Sequence, residues 1–206
     1  MDDRGQAYTL EGVIAALILL TSVLFALQAL IVTPTTSGTV DPDVQSDLRQ
    51  QANDILVTTA NDDEFSLSTL VRYWDQGDQT FFNATNSRVG YGSRTPPAIF
   101  GTLLTETFDE RARLYNVEMQ YLANETGGGR ESTPIVFQGE PSENAIVATY
   151  TVTLFDKQSL TSPTAGDVEL EELDTNQTDG DDGYYPIPDA MDGPVYNIVE
   201  VRVVVW

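Results

Sequence analysis

Apolar and polar positions divide the chain into one uncharged block and a long patterned remainder. Gly12 to Val32, GVIAALILLTSVLFALQALIV, is a run of 21 residues without a charge, opened by Glu11 and closed by Thr33-Pro34. As a helix it would rise roughly 32 Å, the depth of a bilayer's hydrocarbon core. Only Thr21, Ser22 and Gln28 interrupt its apolar surface, whereas a surface helix keeps one polar face. The run is longer than the ~7–15-residue core of a cleaved secretory signal, and no Ala-x-Ala pattern follows it. The pattern predicts a transmembrane helix over 12–32 behind a leader-like segment, 1–11. Arg4 and the terminal amine favour the N-terminus inside and the bulk of the chain outside, so the expected location is the cell membrane, single-pass, with an extracytoplasmic domain.

Residues 33–43, TPTTSGTVDPD, read as a linker, since Pro34 and Pro42 stop a helix. Val44, Leu48, Ala52, Ile55 and Leu56 then share one helical face. A second short helix places Leu67, Leu70, Val71 and Trp74 together behind Ser66 as N-cap and ends before Gly77. A third starts at Pro97 and aligns Phe100, Leu103, Leu104 and Phe108. From Tyr115 the period changes to two. Tyr115 to Tyr121, a short stretch at Ile135 to Gln138, Ile146 to Leu154, and Ile198 to Trp206 read as strands, the last with Val199, Val201, Val203 and Val205 opposite Glu200 and Arg202. The expected class is α+β: the N-terminal transmembrane helix followed by an outer domain, 44–206, with helices packed on a small antiparallel sheet of three or four strands.

Charge narrows the functions this domain can have. Asp and Glu number 32 against 10 Lys and Arg, a net charge of −22, and Lys157 is the sole lysine. Such a surface repels phosphates, and no basic stripe is present, which excludes nucleic acid as a partner. High acid content with few lysines fits a protein soluble in molar salt, where screening is short-ranged, so the domain is expected to loosen in low salt. Cysteine and histidine are absent. Thiol nucleophiles, histidine bases and the usual zinc sites are therefore missing, no catalytic residue or cofactor is assigned, and an enzyme is not expected.

The most specific short pattern is Arg4-Gly5-Gln6-Ala7-Tyr8-Thr9-Leu10-Glu11-Gly12, directly before the apolar run. With Phe25-Ala26-Leu27-Gln28 and Thr33-Pro34 it resembles the prepilin-type signal of archaeal type IV pilin-like surface proteins, and an uncharacterised haloarchaeal membrane-anchored family among them. The resemblance covers roughly the first 35 residues. It implies processing around Gly5, Gln6 and Ala7 by a prepilin peptidase, and an apolar helix that packs with those of other pilin-like subunits, which allows assembly into a filament. It gives Glu11 the subunit-register role, its carboxylate paired with a neighbour's terminal amine. Cleavage after Gly5 makes Glu11 the sixth residue, whereas the family places its acid fifth; cleavage after Gln6 restores the count but sets glutamine where glycine is usual. The alternative is a single-pass anchored envelope protein with a structural or binding ectodomain, whose partner at this end is membrane lipid alone.

Three Asn-x-Thr triplets, at Asn83, Asn124 and Asn176, are glycosylation candidates in expected loops. The acidic stretch 174–183 resembles a calcium loop, but its glycine falls one place late and no glutamate closes it, so no metal site is assigned. Trp74 reads as core. Phe81-Phe82 and Tyr184-Tyr185, near glycine and proline, read as the better contact patch between subunits or with envelope partners.

Overall fold

Residues 11–23, with no charge after Glu11, form the first helix, α1, and each of them is exposed. The computed structural model describes residues 11–23, 42–123, 129–173, 175 and 183–206, and the chain divides into two units, Met1–Thr39 and Val40–Trp206. Thirteen helical residues rise only about 20 Å. Among the described residues no helix is long and apolar enough to cross a membrane. The expected transmembrane helix over 12–32 is therefore corrected: the uncharged run has the length for a span, but the helix described, residues 11–23, is shorter than the roughly 30 Å required.

The second unit is α+β. Its helices are α2 (Pro42–Ala60), α3 (Leu67–Val71) and α4 (Ala98–Thr107). Its strands are β1 (Trp74–Asp75), β2 (Thr80–Phe81), β3 (Tyr115–Leu122), β4 (Arg130–Val136), β5 (Ile146–Phe155) and β6 (Val195–Val205). The four long strands make one antiparallel sheet in the order β4-β3-β6-β5. The last strand enters between β3 and β5, which leaves β4 and β5 at the two ends.

Register assigns the two faces. Val117, Val203 and Ala148 lie across from one another, as do Tyr115, Val205 and Ile146, and all six are buried. Leu48, Ala52, Ile55 and Leu56 of α2, with Phe100 and Leu104 of α4, complete the core on that face. The opposite face holds the rows Pro134, Glu118, Arg202, Thr149 and Ser132, Gln120, Glu200, Thr151. Alternation apolar-in and polar-out is what a sheet covered on one side demands.

The stretch 65–97 is less regular than its sequence suggests. Ser66 caps α3 as expected, its hydroxyl accepting from the Thr69 amide at 3.3 Å. Trp74 leaves the helix and pairs with Phe81 in the short β1-β2 ladder, their rings edge-on at 5.4 Å. Further on, Gly90 bridges Val136, and the Tyr91 amide donates to the Ile135 carbonyl at 2.8 Å. A Cβ at Gly90 would stand 2.1 Å from that carbonyl, and φ there is +57°, so only glycine lets this strip lie against β4.

Candidate functional site

On the polar face, the sheet and the connection between β4 and β5 enclose a cleft of about 390 Å³. Asn116 shapes it. One residue beyond the last β4 partner of β3, its side chain replaces a missing strand: Nδ2 donates to the Gly139 carbonyl and Oδ1 accepts from the Gln138 amide, each at 2.8 Å. Gln138 reciprocates by accepting from the Tyr115 amide at 3.0 Å. These bonds hold Phe137, Glu140 and Pro141 over Val147 and Val204.

Among the described residues, Arg202 is the one cation in the cleft's lining. Its guanidinium meets Glu118 Oε1 at 3.3 Å, and Gln120 Nε2 donates to the same oxygen at 2.9 Å. Both charged side chains stay about a third exposed, so the pair is a weak stabiliser. Among the described residues the lining carries two carboxylates, Glu118 and Glu140, and one guanidinium over an apolar floor, an arrangement able to hold a small polar ligand.

Elsewhere acids gather around the single lysine. Lys157 pairs with Glu169 at 2.7 Å and with Glu171, and these hydrogen bonds hold its ammonium pKa above the usual value. Nearby Asp189 is pushed the other way. Partial burial first, and then the charges of Asp156, Glu171 and Asp192, raise its carboxyl above the ordinary range despite a hydrogen bond from the Met191 amide. A carboxyl whose folded pKa is raised weakens the fold where it is ionised, and the penalty fades as pH falls through that pKa. Asp189→Asn should therefore raise the urea midpoint at pH 7, with the gain shrinking on acidification and gone below the unfolded value of about 3.9. An unchanged midpoint at pH 7 would mean that the neighbouring acids do not act on it. Among the described residues no group of three or more acids is placed to hold a metal ion.

The residues singled out from sequence fall in several places. Gly5, Gln6, Ala7, Asn124 and Asn176 lie outside the described residues, as does most of the acidic loop. Glu11 is exposed in the first turn of α1, and Asn83 is exposed in the turn after β2, with φ +61°. The contact patch expected at Phe81-Phe82 and Tyr184-Tyr185 is corrected. Phe81 and Tyr185 are wholly buried around Trp74, Tyr185 donating its hydroxyl proton to the Val71 carbonyl, while Phe82 and Tyr184 are half-buried. Turn residues beside them had suggested exposure; the turns instead fold the rings inward. Sequence reasoning misses the cleft because its residues come from four strands and a loop. Its one signal was the exposed-face pair Glu200 and Arg202 on an otherwise valine-rich strand.

A family of unknown function, DUF7288, matches residues 4–205. No curated protein and no solved structure matches the chain.

Proposed function

We propose that this chain, which belongs to the DUF7288 family of unknown function, is a pilin-like surface subunit that assembles with its own kind through its apolar N-terminal helix. The observation that carries the reading is α1. Val13, Ile14, Leu17, Ile18, Leu19, Leu20 and Val23 are 49–67% exposed and point to all sides of the helix. A helix with no polar face needs cover on every side, and counterparts of the same composition supply it by close packing. Its hydroxyls raise no obstacle. Thr21 donates to the Leu17 and Ile18 carbonyls at 2.8 and 3.0 Å, and Ser22 to the Ile18 carbonyl at 2.7 Å, so neither needs an outside partner.

Glu11 is the polar element left at the head of this helix. In an apolar bundle its carboxylate is costly unless a cation meets it, and the amine freed by a prepilin peptidase at Gln6 or Ala7 of a neighbouring subunit has the right charge. The acidic unit then faces the surroundings, where charge keeps subunits soluble. The cleft beside Arg202 favours a second reading, an envelope protein whose folded unit binds a ligand.

Mass measurement of protein recovered from native envelopes tests the first reading. A mature start at Gln6 or Ala7 is expected, together with a several-fold loss of high-molecular-weight assemblies in Glu11→Gln at unchanged helical content. An intact Met1 with undiminished assembly of the variant would overturn it in favour of the second.

A further inference from the structure

The two ends of the sheet are built differently. β4 carries Arg130, Glu131 and Pro134, its pairing with β3 shifts register between Val117 and Glu118, and Gly90 to Tyr91 lie along its outer side. These are the devices by which proteins stop an edge from recruiting another strand. β5, IVATYTVTLF, carries no charge, no proline and no glycine, and its register shift falls only at its end, between Leu154 and Phe155. Yet one residue in five of the whole chain is charged. Ile146, Ala148, Val152 and Leu154 are buried in the core, while Thr149, Thr151 and Thr153 stand exposed on the other face. Among the described residues no strand pairs with the outer side of this ten-residue strand.

We propose that β5 pairs antiparallel with β5 of a second copy, joining two four-stranded sheets across a two-fold axis. Charge selects the occupant. Two chains of −22 repel almost everywhere, and a contact between stretches where neither places a charge is one at which they can approach; a cationic partner would find nothing there to pair with. The strand is also self-complementary. In the register centred on Thr151, that residue faces its own counterpart and Thr149 faces Thr153 on the polar side, while Tyr150 faces Val152 and Ala148 faces Leu154 on the other. Cross-strand pairs of β-branched and aromatic residues stabilise such a ladder, and a two-fold contact uses up both edges and closes. The contact is separate from the packing of α1.

Absence of native cysteine makes single-cysteine variants of the full chain a clean probe. Opposed residues in an antiparallel pair sit about 4.5–5.5 Å apart at Cα, within disulfide range. Oxidised Thr151→Cys is expected to run as a dimer on a non-reducing gel, and Thr149→Cys to cross-link with Thr153→Cys, while Ser87→Cys in an exposed loop stays monomeric. Thr151→Asp, which would oppose two carboxylates, is expected to shift sedimentation toward monomer with an unchanged far-UV spectrum. Adding Glu11→Gln leaves the Thr151→Cys dimer in place, which separates this contact from the helix assembly. A dimer yield at Thr151→Cys no higher than at Ser87→Cys overturns the proposal.

Discussion

Gly101→Ala destabilises the folded unit by about 3 kcal/mol or abolishes folding, whereas Gly166→Ala stays within about 0.5 kcal/mol of the native chain. Intrinsic preference argues the opposite sign, since alanine is favoured over glycine in a helix interior by about 1 kcal/mol. Packing overrides it. Gly101 is buried in α4, and a Cβ there would lie 1.8 Å from the Pro96 carbonyl oxygen and 2.7 Å from both its carbon and Thr95 Cγ2. The obstacle is backbone, stiffened by Pro96-Pro97, so it cannot swing aside as a long side chain would. Helix α4 must retreat, and Phe100 and Leu104, both fully buried, retreat with it. At Gly166 the nearest atom to a new Cβ is Val168 Cγ2 at 3.7 Å, an ordinary contact. Urea titration of both variants in molar salt reads the difference as a change in midpoint at constant slope. A loss below about 1 kcal/mol at Gly101 would mean that the segment before α4 yields after all.

Period was legible in the sequence; register was not. Leu48, Ala52, Ile55 and Leu56 announced the buried face of α2, and the valines of β6 announced theirs, because one-sided burial forces apolar residues onto a fixed repeat. Nothing in that repeat says that Glu118 stands opposite Arg202, or that β6 separates β3 from β5 and so leaves β5 at an end. Those facts depend on pairings between residues forty or more positions apart. The two-residue strands β1 and β2 are too short to show a period, so the pattern alone puts Trp74 on a helix and Phe81 at the surface. The uncharged run at the N-terminus states only its hydropathy. Its length suggested a bilayer, and α1 shows thirteen helical residues whose apolar side chains are exposed.

Asn197 carries the other large expected effect. It lies in β6 at 0% exposure, and its amide does the work of a strand where β3 has run out of paired partners at Gln120. Oδ1 accepts from the Leu122 amide at 3.2 Å, and Nδ2 donates to the Leu122 carbonyl at 3.1 Å and to the Pro188 carbonyl at 2.8 Å. Asn197→Leu keeps the volume but leaves one half-buried donor and two half-buried acceptors without this partner. At about 1–3 kcal/mol for each orphaned group, offset in part by added apolar burial, a loss of about 3 kcal/mol is expected. Asn197→Asp separates hydrogen bonding from packing. It can still accept from Leu122, but its second oxygen would face two carbonyls, which raises its folded pKa above the unfolded value of about 3.9. The penalty is then full at pH 7 and recedes as pH falls through that raised pKa, so the aspartate variant should gain on the leucine variant in mild acid. Urea midpoints of both at pH 7 and pH 4.5 measure this. If the two variants keep the same spacing at both pH values, the amide is not what ties Leu122 and Pro188 to β6. If the spacing closes on acidification, one side chain joins the loop that carries Tyr185 and Ile187 to the central strand, and through β6 to the β5 edge proposed to meet a second copy.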